Sequence, residues 1–316
     1  MNKSFNRMNS SAALVEKLAK SPWWDGVLKI IESDHDMNVQ IRGNYLNIYY
    51  KMNNALKIVL KNRDAVACQT HYKFNPFAGR RRGLKNNYIT LIVQDGYLVG
   101  PRSNNRYQYT IDIFSKNNLR LLKRKIRPFV GNEKSYQSQL VYDNRKTILD
   151  AEIAFNEKGE KDFPGEKKKQ RTRIDLLNYD KRNKKIVAVE LKMVENKELY
   201  NGSIQKQLEK YTLFLTNHEE KIKTAYEDST KTKMALGLLP KDSVLWNADF
   251  KNVEIVKKPL LVVVCHSQKG INEVKEKIIK AVEDHALGVF FFGKTGDLNI
   301  PSKKCRNKTI FNQCNS

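Results

Sequence analysis

The chain has little of what most catalytic and metal centres are made from. Cysteine occurs four times in 316 residues, at Cys68, Cys265, Cys305 and Cys314. No CxxC or Cys/His pair is formed, which excludes a zinc site of ordinary spacing. Dispersed thiols point instead to a reduced, cytoplasmic setting. The five histidines are scattered, so no histidine-based nuclease motif can be drawn from them. No apolar run approaches the roughly 18 to 20 residues that a membrane span needs, and no membrane association is expected. The first twenty residues carry basic side chains but no apolar core of a secretory signal. Acidic residues are also in short supply: 34 Asp and Glu stand against 58 Lys and Arg, a formal net charge of +24. Such an excess attracts polyanions, of which nucleic acid, an acidic membrane surface and the ribosome are the general classes.

The basic excess is uneven. Residues 1–130 hold 23 basic and 8 acidic side chains, a balance of +15, which leaves +9 for residues 131–316. The first part reads as a β-rich domain that grips substrate or a partner. Residues 10–32 predict one helix or two short ones broken at Pro22, with Trp23 and Trp24 read as core residues and base-stacking platforms as the alternative. From Val39 the pattern turns to strands, VQIR, YLNIYYK and LKIVL, separated at Gly43-Asn44 and Met52-Asn53-Asn54. Glycine and asparagine tolerate positive φ, so an antiparallel meander is the economical arrangement. Tyr88–Val93 and Tyr97–Val99 predict a further hairpin about Asp95-Gly96. Between these pieces Arg80, Arg81 and Arg82 sit in a glycine-bounded loop, which is either a solvated surface or a set of phosphate contacts. Residues 119–127 (LRLLKRKIR) form a second basic patch on a helix face, and Pro128 and Gly131 mark a boundary.

Residues 131–316 predict a second domain. A helix at 133–146, a strand at 148–155 and a charged loop at 157–170 precede two strands, 172–179 and 185–193, joined by a polar turn. A helix at 203–216, a strand at 259–265, a helix at 271–285 and a strand at 288–292 follow. Strand alternation puts Ile186, Ala188, Glu190 and Lys192 on one face and Val187, Val189, Leu191 and Met193 on the other. Asp175 lies across the hairpin from this strand. Two carboxylates on neighbouring strands suit a hard cation such as Mg²⁺ or Mn²⁺. Lys192, two residues beyond Glu190, points into the same cleft, where it could act on an attacking water or on phosphate charge. On the following helix Ile204, Leu208, Tyr211 and Leu215 form the packing stripe, with Gln207 beside Tyr211.

The series Asp175…Glu190-x-Lys192…Gln207-x-x-x-Tyr211 resembles the PD-(D/E)xK nuclease superfamily, in its RecB-type and lambda-exonuclease-type branch. The resemblance covers about residues 131–216, with 259–292 completing the sheet, and does not extend to residues 1–130. It implies a mixed α/β chain whose second domain is a restriction-endonuclease-like αβββαβ core cutting DNA with Mg²⁺ or Mn²⁺, RNA remaining open. By position, Asp175 and Glu190 would bind metal, Lys192 would be the catalytic lysine, and Gln207 and Tyr211 would contact the nucleic-acid backbone or brace the site. Ile174 stands where the family name has proline. The further acidic residue is Glu152 or Glu133, Glu152 being favoured as a strand residue leading into the core. Cys305 and Cys314 lack the third neighbour that iron–sulfur relatives carry. Restriction, phage defence or a mobile element is the setting implied by analogy, with a repair exonuclease as an alternative. Two other readings are a catalytically silent nucleic-acid-binding module and a charge-driven RNA- or ribosome-binding factor. Cutting both strands of a duplex would call for a homodimer or a partner protein.

Overall fold

The computed structural model describes residues 12–61, 65–74, 88–94, 97–99, 110–111, 115–155, 172–265, 268–292 and 310–311. Arg80, Arg81 and Arg82, the Asp95-Gly96 turn, the 157–170 loop, Cys305 and Cys314 lie outside the described residues. The chain is a mixed α/β protein with one antiparallel and one mixed sheet, and seven α-helices among the described residues. It divides into two compact units. The N-terminal unit runs to Ser138 and also includes Asp228–Leu239, while the C-terminal unit comprises Gln139–Glu227 and the chain from Pro240 onward.

In the N-terminal unit, helices α1 (Ala12–Ala19) and α2 (Pro22–Ser33) are separated at Ser21, and Pro22 starts the second. Proline suits that place because its missing N–H would have had no helical acceptor. Seven strands then form one sheet in chain order: β1 (Met37–Arg42), β2 (Tyr45–Tyr50), β3 (Asn53–Lys61), β4 (Ala65–His71), β5 (Tyr88–Gln94), β6 (Tyr97–Val99) and β7 (Thr110–Ile111). Every neighbouring pair is antiparallel, the arrangement expected of a meander. The β2–β3 turn differs from expectation in its position. Lys51 and Met52, not the asparagines, take positive φ (45° and 56°), while Asn53 and Asn54 already pair in β3. Two consecutive positive φ values match the twist of a tight hairpin. Burial of Met52 and an ion pair from Lys51 to Asp36 hold these two residues there.

The sheet is two-faced. Val39, Ile41, Leu46, Ile48, Ile58, Cys68 and Leu91 pack with Leu14, Leu18, Trp24 and Val27 of the helices. Helix α3 (Lys116–Ile126) joins the same core through Leu122 and Ile126. The opposite face carries Asn38, Gln40, Arg42, Asn47 and Tyr49, linked by register across β1 and β2.

The C-terminal unit builds its sheet in the order β14-β13-β12-β10-β9-β8. Helix α4 (Asn132–Asp143) leads into β8 (Ile148–Phe155), β9 (Thr172–Asp180) and β10 (Lys185–Met193), each strand antiparallel to the one before it. Asp180 accepts the N–H groups of Arg182 and Asn183, and Lys184 takes φ 49°, so the β9–β10 turn is closed by its own side chain. Helices α5 (Ser203–Asn217) and α6 (Glu219–Ala235) follow, then the short β11 (Glu254–Ile255) and β12 (Leu260–Val264). Both strands run parallel to β10. Helix α7 (Gln268–Val282) connects to β13 (Gly288–Phe292), parallel to β12, and β14 (Ile310–Phe311) closes the edge. Buried on both faces, β12 is the continuous run LLVVV that a central parallel strand requires.

Helix α6 has no counterpart among the expected elements. It ends at Gly237, whose φ of 68° and the bonds Gly237 N–H to Met234 and Leu238 N–H to Lys233 form a Schellman cap. The cap presents the Leu236 carbonyl to the Trp24 indole N–H at 2.9 Å, and Leu236 itself joins the N-terminal core. Trp24→Ala should therefore destabilise by about 3–5 kcal/mol through cavity formation. Trp24→Phe should cost less and leave the Leu236 carbonyl without its donor. Urea denaturation followed by circular dichroism measures both, and equal midpoints for Trp24→Ala and wild type would refute this packing.

Candidate functional site

The centre of the second sheet is set by one pleat. Ile186, Val187, Ala188, Val189, Leu191 and Met193 are all buried, so both faces of β10 are covered. Glu190 and Lys192 are the charged exceptions, 1% and 6% exposed. Burying a charge is costly unless partners replace its water, and the partners are the remaining motif residues.

The Glu190 carboxylate is held from three directions. Oε1 accepts the Gln207 amide at 2.7 Å and stands 2.8 Å from the Lys192 ammonium. Oε2 takes the Tyr211 hydroxyl at 2.7 Å. Gln207 and Tyr211, one turn apart on α5, also bond to each other at 2.6 Å. Tyr211 further contacts the Arg173 carbonyl of β9. It is wholly buried, and burial beside Glu190 and Asp175 pushes its hydroxyl well above the usual tyrosine range, keeping it a proton donor. Tyr211 thus packs in the core and holds Glu190 from there.

Asp175 comes from β9. The β9–β10 register runs to Val189↔Leu176, one position short of Asp175 and Glu190. Beyond it the Leu191 N–H is accepted by Asp175 Oδ2 at 2.8 Å. Shielding from water and the charge of Glu190 push the Asp175 carboxyl well above its ordinary range, while the Leu191 N–H works in the opposite sense. Of the two proposed additional acids, Glu152 falls between the pairs Ala151↔Leu176 and Ile153↔Ile174, opposite Asp175. Its backbone is left-handed, φ 55°, a conformation that disfavours side chains other than glycine. Its carboxylate pairs with Arg173 at 3.0 Å. Glu133 lies in the first turn of α4.

Three consecutive strands thus carry Glu152, Asp175 and Glu190 in a row across the sheet. Among the described residues no three His, Cys, Asp or Glu side chains are already gathered as a metal cage. Mg²⁺ does not demand one, since it is commonly held by one or two carboxylates with water and substrate phosphate completing its shell. The hard oxygen donors and the unfavourable Asp175–Glu190 proximity both fit a divalent cation.

One further residue, Glu198, joins the cluster, and a second acid, Asp150, is buried on a partner of its own. Glu198, in the short 3₁₀ turn Lys197–Leu199, pairs with Lys192 at 2.8 Å. Asp150, 2% exposed, accepts the Tyr226 hydroxyl at 2.9 Å and the Ala151 N–H at 2.7 Å. Its partner lies on α6, 76 positions away. No family model, curated protein or solved structure matches the chain.

The raised pKa of Asp175 has a direct consequence for stability. A carboxyl that holds its proton more tightly when folded contributes less stability as pH rises from the usual carboxylate range through the raised value. Asp175→Asn keeps an acceptor for the Leu191 N–H and removes this charge. In EDTA at pH 8 the variant should melt at or above the wild-type temperature, with the difference closing on acidification. Added Mg²⁺ should raise the wild-type melting temperature more than that of the variant. A variant that melts well below wild type in EDTA would contradict the charge-repulsion account.

Proposed function

We propose that the chain is a metal-dependent nuclease that hydrolyses DNA phosphodiester bonds, on a PD-(D/E)xK-like C-terminal unit. One observation carries the reading: residues 192, 207 and 211 converge on a single carboxylate, that of Glu190. Lys192, Gln207 and Tyr211 all touch Glu190, with Asp175 on the adjoining strand. The element order α4-β8-β9-β10-α5, followed by β12 parallel to β10 after the additional helix α6, supports it as well.

Asp175 and Glu190 would hold Mg²⁺ or Mn²⁺, with Glu152 the nearest additional acid in the row. A cation bound there would lower the pKa of its water and polarise the scissile phosphate. Gln207 and Tyr211 fix the orientation of Glu190, whose carboxylate would exchange one of its donors to act as a ligand. Lys192 is kept in the same cluster by Glu190 and Glu198. From there its ammonium can orient the attacking water or stabilise charge developing on the non-bridging phosphate oxygens. The basic N-terminal unit would hold the nucleic acid or a partner. The setting proposed is cytoplasmic, in keeping with Cys68 and Cys265, both buried and neither in a disulfide. Among the described residues, no helix is long and apolar enough to cross a membrane.

The enclosure of Glu190 favours one second reading. With three protein partners already on it, the carboxylate could serve only to hold the strand and helix together in a catalytically silent nucleic-acid-binding module.

Lys192→Ala and wild type, compared on linear and closed-circular DNA with Mg²⁺, Mn²⁺ or EDTA, separate the two. The nuclease reading expects metal-dependent cleavage that falls at least about 100-fold in the variant, the scale of losing one electrostatic stabiliser. Cutting of the closed circle identifies an endonuclease, and digestion of linear DNA alone an exonuclease. Tight binding without cleavage of DNA or RNA by wild type would overturn the reading in favour of the silent module.

A further inference from the structure

The N-terminal unit carries a cluster of aromatic rings that its core does not absorb. His71 ends β4 and Tyr88 begins β5, and the two are cross-strand partners with ring centroids 5.5 Å apart. His71 also stacks on Tyr72 at 4.8 Å and lies 5.6 Å from Phe74. Phe74 in turn meets Phe129 edge-on at 5.4 Å. Tyr72 and Phe74 lean on the main core. Tyr88 and Phe129 do not: they are 49% and 47% exposed, among the largest apolar exposures of the chain.

Positive charge surrounds these rings. The Lys73 ammonium lies 5.6 Å from the centre of the Phe129 ring. Arg127, which is exposed, begins the 3₁₀ turn that Phe129 ends. That turn continues α3, which has five basic residues and no acidic one. Lys116, Arg120, Arg124 and Arg127 recur at helical spacing, and all four are exposed. Asp34, which pairs with Lys123 of α3, and Asp36, which pairs with Lys51, are both engaged.

We infer that the Tyr88–Phe129 cluster and the adjoining basic stripe of α3 bind single-stranded nucleic acid, the rings stacking on unpaired bases and the stripe following the phosphates. Open rings beside a line of cations are what a single strand needs, because its base faces are free to stack. A duplex hides those faces and would use only the cations. An anionic membrane would likewise use the cations, but it has no flat partner for paired aromatic edges.

The inference does not depend on cleavage, so its test is a binding measurement in EDTA, where the proposed nuclease chemistry is silent. Fluorescence anisotropy of the full chain with a labelled 20-nucleotide single strand and the matching duplex gives both affinities. Wild type should prefer the single strand. Tyr88→Ala and Phe129→Ala, both surface changes, should each weaken single-strand binding about tenfold and leave duplex binding within about twofold. Arg120→Ala with Arg124→Ala should weaken both ligands and lower the salt dependence by about one unit per charge removed. Equal affinity for single strand and duplex, with aromatic variants unchanged, would overturn the inference. So would binding to anionic vesicles with no binding to nucleic acid. Because the Lys192→Ala comparison reads cleavage alone, either result can fail while the other stands.

Discussion

Two carboxylates forced onto adjacent strands repel each other, and the C-terminal unit is organised around tolerating that repulsion. Asp175 and Glu190 cannot both sit shielded from water without compensation. Glu190 receives an ammonium, an amide and a phenol, and Asp175 receives a backbone N–H released where the β9–β10 register ends. Each donor imposes a structural condition. Lys192 must follow Glu190 by two residues to share its face. Gln207 and Tyr211 must be one helical turn apart, and α5 must lie against that face of β10. The placement of a helix and the phase of a strand are in this way tied to one carboxylate. The arrangement that stabilises the cluster without a cation is also one that a cation could improve, since partners that soften like-charge repulsion do not abolish it.

Much of this was readable from residue pattern. The alternation along Ile186–Met193 has only one consistent phase, and the short polar turn before it fixes an antiparallel neighbour. The apolar spacing of Ile204, Leu208, Tyr211 and Leu215 likewise defines the buried side of α5. The parts that escaped share a cause: they depend on partners distant in sequence. Helix α6 buries Ser229, Thr230 and Lys233 along with Ile222, Ala225 and Tyr226, so it shows no clean apolar stripe. Asp150 has no local reason to be buried; Tyr226 supplies one. Glu198 looks like an ordinary solvated acid until Lys192 reaches it. The left-handed backbone of Glu152 is a property of strand pairing that no local composition announces.

The N-terminal sheet teaches a related lesson about turns. Asparagine is the usual tolerant residue at positive φ, and Asn53-Asn54 invited that assignment. Packing decided otherwise: Met52 is drawn into the interior and Lys51 to Asp36, which moves the bend back toward the strand that precedes it. A bulge between Ile48 and Tyr49 then absorbs the extra residue while Leu56 and Ile58 stay in the core. Side-chain burial here outweighs intrinsic backbone preference, as expected when the alternative is to expose a large apolar group.

The N-terminal unit takes back Asp228–Leu239 after the chain has already built β8, β9 and β10 of the second sheet. Its core tryptophan bonds to Leu236, and Leu236 packs within that core. The unit is therefore discontinuous in the gene. A recombination event that exchanged the first 138 codons for those of another protein would leave an orphaned helix end behind and carry away a core missing one of its walls. Modular shuffling, the common route by which binding domains are traded between enzymes, is closed to this one unless residues 228–239 travel with it.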